Sequence, residues 1–276
     1  SGTTGKPKGV QRDTGGYAVA LAASLPHIFM GKPGETFFCT SDIGWVVGHS
    51  YIVYGPLIGG MATILYEGLP TRGLDGETDP GIWWSLVEKY KVSVMFSAPT
   101  AVRVLKKQDD AHLKKHDVSS LKALFLAGER ADPETVQWAE KVLGVPVIDH
   151  WWQTETGWAI VGNPLGLDGL DRMPVKLGSP SVPMPGYELH ILDDAGHEGP
   201  PGTLGNIAVK LPLPPGCLTT FWNADERFRT ACLAEFPGYY KTADAGYVDE
   251  DGYVFVMART DDIINVAGHR LSTGGM

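Results

Sequence analysis

The first nine residues of the chain combine the groups that proteins use to hold a polyphosphate. Three glycines and two lysines lie among serine and threonine hydroxyls, so backbone N–H groups, hydroxyls and positive charge can approach one anion. The segment is not a Walker A loop, because Lys6 is followed by proline and the glycine spacing differs. By composition alone, a flexible surface loop is the alternative. The candidate phosphate ligands are Ser1, Gly2, Thr3, Thr4, Gly5, Lys6 and Lys8.

A second polar string, Trp-Trp-Gln-Thr-Glu-Thr-Gly at residues 151–157, follows the last predicted strand of an alternating region. In an open parallel sheet, ligands bind beyond the carboxyl ends of the strands. The tryptophan pair alone would be typical of core packing, but four polar side chains beside two indoles make a poor core. A carboxylate at Glu155 suits Mg²⁺, which prefers oxygen ligands and bridges proteins to nucleotide phosphates.

Further polar strings each have two interpretations. Residues 128–130, Gly-Glu-Arg, end the preceding predicted strand, and they form either part of the same sheet edge or a solvated turn with a local ion pair. Asp244 is either a turn residue or an acceptor for both hydroxyls of a ribose. Arg259 and Arg270 are either solvated charges or guanidinium groups for phosphate and ribose.

An apolar string at residues 42–51 is the last with chemical character. Its Trp45-Val46-Val47 segment has a glycine on each side and is followed by His49. The segment is suited to form the wall of a pocket for a small apolar substrate. For His49, a structural role is favoured over catalysis.

The elements that would position these strings alternate between strand and helix over residues 36–150. Such alternation predicts a mostly parallel sheet covered by helices. The predicted strands are 36–39, 62–66, 93–97, 123–127 and 145–148, and the predicted helices are 49–58, 81–90, 101–108 and 134–143.

After about residue 170 the pattern changes to short strands among many prolines and glycines. The predicted strands are 187–192, 206–211, 247–248 and 253–257, with a hairpin turn at 249–252. The predicted fold class is therefore α/β, a mostly parallel sheet flanked by helices and followed by a small antiparallel, distorted-barrel subdomain. The predicted division is 1–170 for a partial α/β subdomain, 171–260 for the β-rich subdomain, and 261–276 for a hinge and the start of a further domain.

Composition excludes some classes of partner. The chain has 276 residues and a formal net charge of −9, whereas nucleic-acid binding needs a basic face. No apolar run approaches the length of a membrane span, so we expect neither nucleic acid nor membrane as a partner. Three widely spaced cysteines, Cys39, Cys217 and Cys232, favour a reducing compartment and a cytoplasmic protein.

Together, and in this order, the strings make the chain resemble the AMP-forming acyl-CoA synthetases of the adenylate-forming superfamily over essentially its whole length. The strings at 1–9 and 151–157 and the Gly-His-Arg at 268–270 carry this resemblance. Within the family the chain is similar to the short-chain branch. Residues 46–47, 128–130 and 265–275 look closer to propionyl-CoA than to acetyl-CoA synthetases.

The resemblance implies ATP, Mg²⁺ and coenzyme A as ligands, with a short-chain carboxylate as substrate. It also implies roles for individual residues. The residues from Ser1 to Lys8 close over the ATP phosphates, and those implied at the adenine are Gly128, Glu129, Arg130, Asp149, His150, Trp151 and Gln153. Asp244 and Arg259 are implied at the ribose, Thr154 at the α-phosphate and Glu155 at the metal. Arg270 is implied at the phosphates, and Asp261 at the hinge. The acyl pocket is lined by Val46, Val47, Ala127 and Trp152.

The resemblance also implies a substrate preference. Trp152 would block the channel that longer acyl chains need, and acetyl-CoA synthetases typically carry Val where Ala127 stands. Ala127 therefore leaves room for about one extra methylene, which is worth about 1–3 kcal/mol in a pocket. Propionate is expected to be favoured, with acetate as the near alternative.

Two alternatives belong to other classes of protein. One is a nucleotide-binding module without turnover. The other is a peptide-synthetase adenylation domain, which would need an acidic residue for the substrate amine, and no pocket candidate is acidic. Compared with the family, the chain starts at the phosphate loop and stops beyond the hinge, so it lacks the lysine used in adenylation. It is interpreted as a fragment, for which little or no turnover is expected.

Overall fold

The computed structural model describes residues 7–164, 172–260, 263–266 and 269–272. The strands are β1 (Val10–Arg12), β2 (Thr36–Cys39), β3 (Ala62–Thr63), β4 (Val92–Ser97), β5 (Ala123–Leu126), β6 (Val147–Asp149), β7 (Val161–Gly162), β8 (Val182–Pro183), β9 (Leu189–Leu192), β10 (Gly205–Lys210), β11 (Leu218–Phe221), β12 (Tyr239–Val248), β13 (Val254–Arg259), β14 (Ile263–Val266) and β15 (His269–Ser272). The helices are α1 (Thr14–His27), α2 (Val46–Gly48), α3 (Gly55–Ile58), α4 (Ile82–Tyr90), α5 (Pro99–Lys106), α6 (Ala111–Lys114), α7 (Pro133–Leu143) and α8 (Asp225–Phe228), with π-helical turns at His49–Tyr54 and Arg229–Leu233.

The first sheet is parallel and has the strand order β3-β2-β4-β5-β6. Its inner strands are apolar on both faces, as expected where helices cover both sides of a parallel sheet. Phe37, Phe96 and Phe125 pack into one core cluster with side chains from α1. Their neighbours Phe38 and Met95 pack into a second cluster with α4, α5 and α7. The alternation of strand side chains thus places the sheet between two layers.

The second half of the chain forms antiparallel ladders. The largest is a four-stranded sheet of order β13-β12-β10-β9, and β14 pairs with β15. β1, near the start of the chain, pairs with β11 through Val10 opposite Phe221. This ladder ties the end of the predicted phosphate segment to the β-rich half.

The predicted fold class is confirmed, with local differences. The predicted strand 62–66 is shorter in the structure, where β3 comprises Ala62–Thr63 and lies at the edge of the sheet beside β2. The predicted helix 49–58 is a π-helical turn followed by α3. Helix α1 was not predicted, since glycines in its first turn and Pro26 in its last are typical of loops.

In the described part of the chain, no helix combines the length and the apolar character that crossing a bilayer requires.

Candidate active site

Three of the predicted segments follow strands that end at one edge of the parallel sheet. Val46 and Val47 come after β2, residues 128–130 after β5, and residues 150–155 after β6. Because neighbouring parallel strands point the same way, their carboxyl ends bring these loops together. The sheet thus supplies a rigid rim for groups that are distant in sequence.

Gln153 joins this rim to the antiparallel sheet. Its Nε2 donates to the carbonyl of Thr242 at 2.7 Å and to the carboxylate of Asp244. Its Oε1 accepts a hydrogen bond from the hydroxyl of Tyr240 at 3.0 Å. All three partners lie on β12 and are buried. One amide side chain therefore sets the position of the β6 loop against β12.

Asp244 and Arg259 face each other across β12 and β13, where they are register partners. Arg259 Nη1 lies 3.7 Å from Asp244 Oδ1, and the side chain of Asp244 is 10% exposed while that of Arg259 is 49% exposed. The structure thus places a buried carboxylate and an accessible guanidinium side by side next to Gln153. A carboxylate and a guanidinium are suited to a sugar diol and an anion, respectively.

The four predicted acyl-pocket residues belong to one apolar cluster. Ala127 and Trp152 are buried in it, and Val46 and Val47 pack against it. The indole of Trp152 stands edge-on to the ring of Tyr51, with 5.6 Å between ring centroids. Because the Tyr51 hydroxyl is also held by Ser24 Oγ at 3.0 Å, Trp152 packs against a fixed neighbour.

The loop after β5 is tied to helix α5. The Glu129 carboxylate accepts from the backbone N–H of Thr100 at 2.6 Å and from Arg103 Nη2 at 2.7 Å. Its ion pair is therefore with a residue 26 positions earlier in the chain rather than with a neighbour in the same turn. Gly128 has φ +99°, a conformation that favours glycine, and Arg130 is exposed.

His150, which directly follows β6, is enclosed by aromatic rings. Its ring lies 4.8 Å from Phe96, 5.3 Å from Phe29 and 6.4 Å, nearly parallel, from Trp152. Burial lowers the pKa of His150 to about 3, so the imidazole is neutral at physiological pH. In the described surroundings neither ring nitrogen has a hydrogen-bond partner, and the ring acts as packing behind Trp152.

Asp149 has an unusual protonation state. Desolvation of its carboxyl raises the pKa to about 8, against the opposing effect of hydrogen bonds from the backbone of His150 and Ala131. In the unfolded chain the pKa of Asp is about 3.9. The folded state therefore holds one more proton than the unfolded state between about pH 4 and pH 8, and stability falls as the pH rises through this range.

Replacement of Asp149 by Asn is expected to remove this pH dependence, because the amide cannot ionise. The wild-type melting temperature should fall from pH 6 to pH 8 by more than that of Asp149→Asn, and the two curves should run parallel above pH 9. Thermal unfolding at each pH measures this. The two proteins differ only at position 149, so the difference between their curves reports this carboxyl. Equal slopes would contradict the assignment.

Thr154 and Glu155 lie in the loop after β6, the last strand of the parallel sheet. The Glu155 side chain is partly exposed, and its backbone carbonyl accepts from the N–H of Leu218 at 2.8 Å. Among the described residues, no group of three or more histidine, cysteine or acidic side chains is arranged to hold a metal. A single carboxylate fits Mg²⁺ only where nucleotide phosphates and water complete the ligand set, as they do in many nucleotide enzymes.

The remaining predicted residues are only partly placed. The Lys8 amino group lies 5.7 Å from the centre of the Phe221 ring, and Arg270 is the register partner of Asn265 in the β14–β15 ladder. Ser1, Gly2, Thr3, Thr4, Gly5, Lys6 and Asp261 lie outside the described residues.

One residue at the rim was missed by the sequence analysis. Arg12 on β1 donates a hydrogen bond to the carbonyl of Thr154. In the sequence, a lone arginine in a short strand looks like an ordinary solvated charge. Its position shortly after the phosphate segment is the feature that could have indicated a role at the site.

The chain is similar to known proteins along its whole length. A family model described as AMP-binding enzyme matches residues 1–214. The chain is 59% identical over 276 residues to the propionate–CoA ligase of Escherichia coli (strain K12), covering 99% of this chain and 42% of that protein. It is 50% identical over 278 residues to the mitochondrial acyl-CoA synthetase short-chain family member 3 of Bos taurus, covering 100% of this chain and 40% of that protein. The chain thus spans less than half the length of these relatives.

A solved structure supports the fold. The anthranilate CoA ligase AuaEII, crystallised in complex with anthranoyl-AMP, superposes with a TM-score of 0.83 at 24% sequence identity. The match covers 100% of this chain and 49% of that one. At this level of identity the likeness shows the fold alone.

Proposed function

Since the chain belongs to the AMP-binding enzyme family, we propose that the protein carrying it is a short-chain carboxylate–CoA ligase. The proposed reaction converts propionate, ATP and coenzyme A into propionyl-CoA, AMP and diphosphate. Two relatives named propionate–CoA ligase, at 59% and 57% identity, support propionate as the substrate. The chain spans 42% of their length, so the proposal concerns the whole protein that carries it.

The observation that carries the proposal is the junction at Gln153. It brings the polar loop after β6 to within hydrogen-bond distance of the ribose candidate Asp244 on another sheet. A nucleotide whose ribose meets Asp244 and Arg259 would have its α-phosphate at Thr154. The acyl wall at Trp152 is one residue before Gln153, so an acyl group and an α-phosphate are neighbours in this arrangement.

The reaction needs little from the protein beyond placement and charge. The substrate carboxylate is already ionised at pH 7, so no general base is required. One of its oxygens attacks the α-phosphorus, and the bond from that phosphorus to diphosphate breaks. The sulfur of coenzyme A then attacks the acyl carbon, the thiol proton goes to solvent, and the bond from that carbon to AMP breaks. Thr154 and Arg270 are proposed to hold phosphate oxygens, and Glu155 to bind Mg²⁺. The metal would neutralise charge on the phosphates.

The remaining roles are proposals of the same kind. Residues 1–8 are proposed to close over the outer phosphates, and residues 128–130 and 149–151 to border the adenine. The His150 ring packs among aromatic side chains, so its part at the adenine is restricted to the backbone. Because the Glu129 carboxylate is used by α5, its part at the adenine is restricted to the backbone. Asp261 is proposed as the hinge between the β-rich subdomain, 171–260, and a further domain.

Replacement of Ala127 by Val is expected to shift the preference from propionate towards acetate by roughly 10- to 100-fold, since one methylene in a pocket is worth about 1–3 kcal/mol. The added methyl groups occupy the space of the terminal methyl of propionate. The ratio of kcat/KM for the two acids, measured by ATP–diphosphate exchange, tests this. Ala139→Val, in the cluster on the opposite face of the sheet, is the matched control for general overpacking. An unchanged ratio would exclude Ala127 from the pocket.

We also propose a reducing compartment for the protein. The three cysteines are free and buried, and burial raises the pKa of Cys39 to about 12 and that of Cys217 to about 11. Such thiols are poor nucleophiles, in keeping with a structural role. The relatives include a protein named mitochondrial, and for a bacterial host we propose the cytoplasm.

ATP–diphosphate exchange with acetate, propionate and butyrate, followed by thioester formation with coenzyme A, tests the function. Exchange that is fastest with propionate, followed by propionyl-CoA, is the expected result. Exchange that is fastest with acetate would replace propionate within the same class. ATP binding without exchange for any acid would indicate a nucleotide-binding module.

A further inference from the structure

Arg12 lies where the predicted phosphate segment enters the fold. It is the last residue of β1, and its register partner on β11 is Leu218. The backbone N–H of Leu218 is the donor to the carbonyl of Glu155. The β1–β11 ladder therefore reaches the β6 loop from both strands, through the Arg12 side chain and through the Leu218 backbone.

The Arg12 guanidinium is enclosed rather than solvated. Its Nη2 donates to the Thr154 carbonyl, and its Cζ lies 4.9 Å from the centre of the Tyr17 ring. Nε is buried and has no hydrogen-bond partner in the described structure. Burial lowers the pKa of Arg12, partly offset by charge interactions that include Glu155. A partly desolvated cation costs free energy unless hydrogen bonds and charge interactions with the surrounding groups compensate for the lost hydration.

The neighbours of Arg12 are fixed in turn. The hydroxyl of Tyr17 is 2.5 Å from Ser50 Oγ, and Ser50 Oγ donates to the carbonyl of Gly157 at 2.7 Å. A Cβ at Gly157 would lie 2.8 Å from Arg12 Nε and from the Tyr17 ring, at a φ of +75°. Because Gly157 has no side chain, its backbone can pack directly against the Arg12 guanidinium and the Tyr17 ring.

We propose that Arg12 is a positioning residue that fixes the backbone of Thr154, and with it the side chains of Thr154 and Glu155, at the edge of the sheet. This inference rests on the proposed function, since it assigns Arg12 to the adenylation step. Arg12 donates to the Thr154 carbonyl, and its register partner Leu218 donates to the Glu155 carbonyl, so the β1–β11 ladder holds both residues. Its planar, delocalised cation can stack on Tyr17 while donating to a carbonyl, which a lysine ammonium cannot reproduce.

The experiment compares Arg12→Met and Arg12→Lys with wild type in the protein that carries this chain. Both are expected to raise the KM for ATP and the half-saturating Mg²⁺ concentration about tenfold or more, and to lower kcat for ATP–diphosphate exchange. The KM for propionate should change less than about threefold, because the contacts of Arg12 described above are with Thr154 and Tyr17. Compared with Arg12→Met, Arg12→Lys should restore most of the wild-type melting temperature but less of the wild-type KM for ATP and Mg²⁺ dependence. The exposed Arg72, replaced by Met, is the matched control.

Other results would overturn the inference. A folded Arg12→Met protein with wild-type KM for ATP and wild-type Mg²⁺ dependence would exclude a positioning role. If activity fell only in proportion to the fraction of folded protein, with the KM for ATP and the Mg²⁺ dependence unchanged, Arg12 would contribute to stability only. If wild type shows no exchange with any acid, the proposed function fails. Calorimetric titration with MgATP then still tests Arg12, whose replacement should weaken binding about tenfold.

Discussion

Replacement of Glu155 by Gln is expected to slow acyl-adenylate formation by about 10²- to 10³-fold, or about 2.7–4 kcal/mol, the range typical for removal of one group that stabilises developing charge. Glu155 is the only carboxylate in the rim loop after β6 at residues 150–155. The amide keeps the shape of the side chain and removes the charge that would attract Mg²⁺. ATP–diphosphate exchange as a function of Mg²⁺ concentration is the measurement, and the half-saturating concentration should rise.

The control for Glu155→Gln is an exposed glutamate that lacks a proposed role. Glu235, which is ion-paired with Lys241, can be replaced by Gln with the same loss of charge, and exchange should stay within about twofold. If Glu155→Gln kept wild-type Mg²⁺ dependence, the metal would have to be held by the nucleotide alone.

Replacement of Gln153 by Leu is expected to lower both stability and ATP affinity. It leaves the Thr242 carbonyl, the Asp244 carboxylate and the Tyr240 hydroxyl each without one partner. Loss of the partner of a buried polar group costs about 1–3 kcal/mol. Asp244 keeps its ion pair with Arg259, so the main losses are at Thr242 and Tyr240, and the unfolding free energy should fall by several kcal/mol. Because Asp244 loses the donor that orients it, the KM for ATP should rise by about 100-fold. Urea denaturation and exchange kinetics measure the two effects.

Tyr240→Phe is the matched control, since it removes one of the three hydrogen bonds and leaves the two donated by Gln153 intact. It should cost about 1 kcal/mol in stability and change the KM for ATP less than fivefold. If Tyr240→Phe raised the KM for ATP as much as Gln153→Leu does, the rise would be due to disruption of the whole hydrogen-bonded junction and not to the loss of the hydrogen bond to Asp244.

Much of the candidate site was predictable because its residues occur in short strings. The string at 151–157 directly follows the strand that carries it, so sequence proximity and spatial proximity coincide. The role of Glu129 was less clear, because its partners Thr100 and Arg103 come from a helix that precedes it by more than twenty residues. Arg12 was missed for a similar reason, since its contact with Thr154 spans 142 positions.

The sequence by itself determined the layer architecture, because alternation of apolar strands and amphipathic helices has few packed solutions. It also indicated the chemical character of each loop, since glycines, hydroxyls, carboxylates and guanidinium groups have their chemistry wherever they lie. Tertiary structure alone decided which loops meet: Gln153 with β12, Arg12 with Thr154, and His150 with the aromatic rings around it. Those contacts depend on strand order and register, which arise from the packing of the whole core and leave no local pattern in the chain.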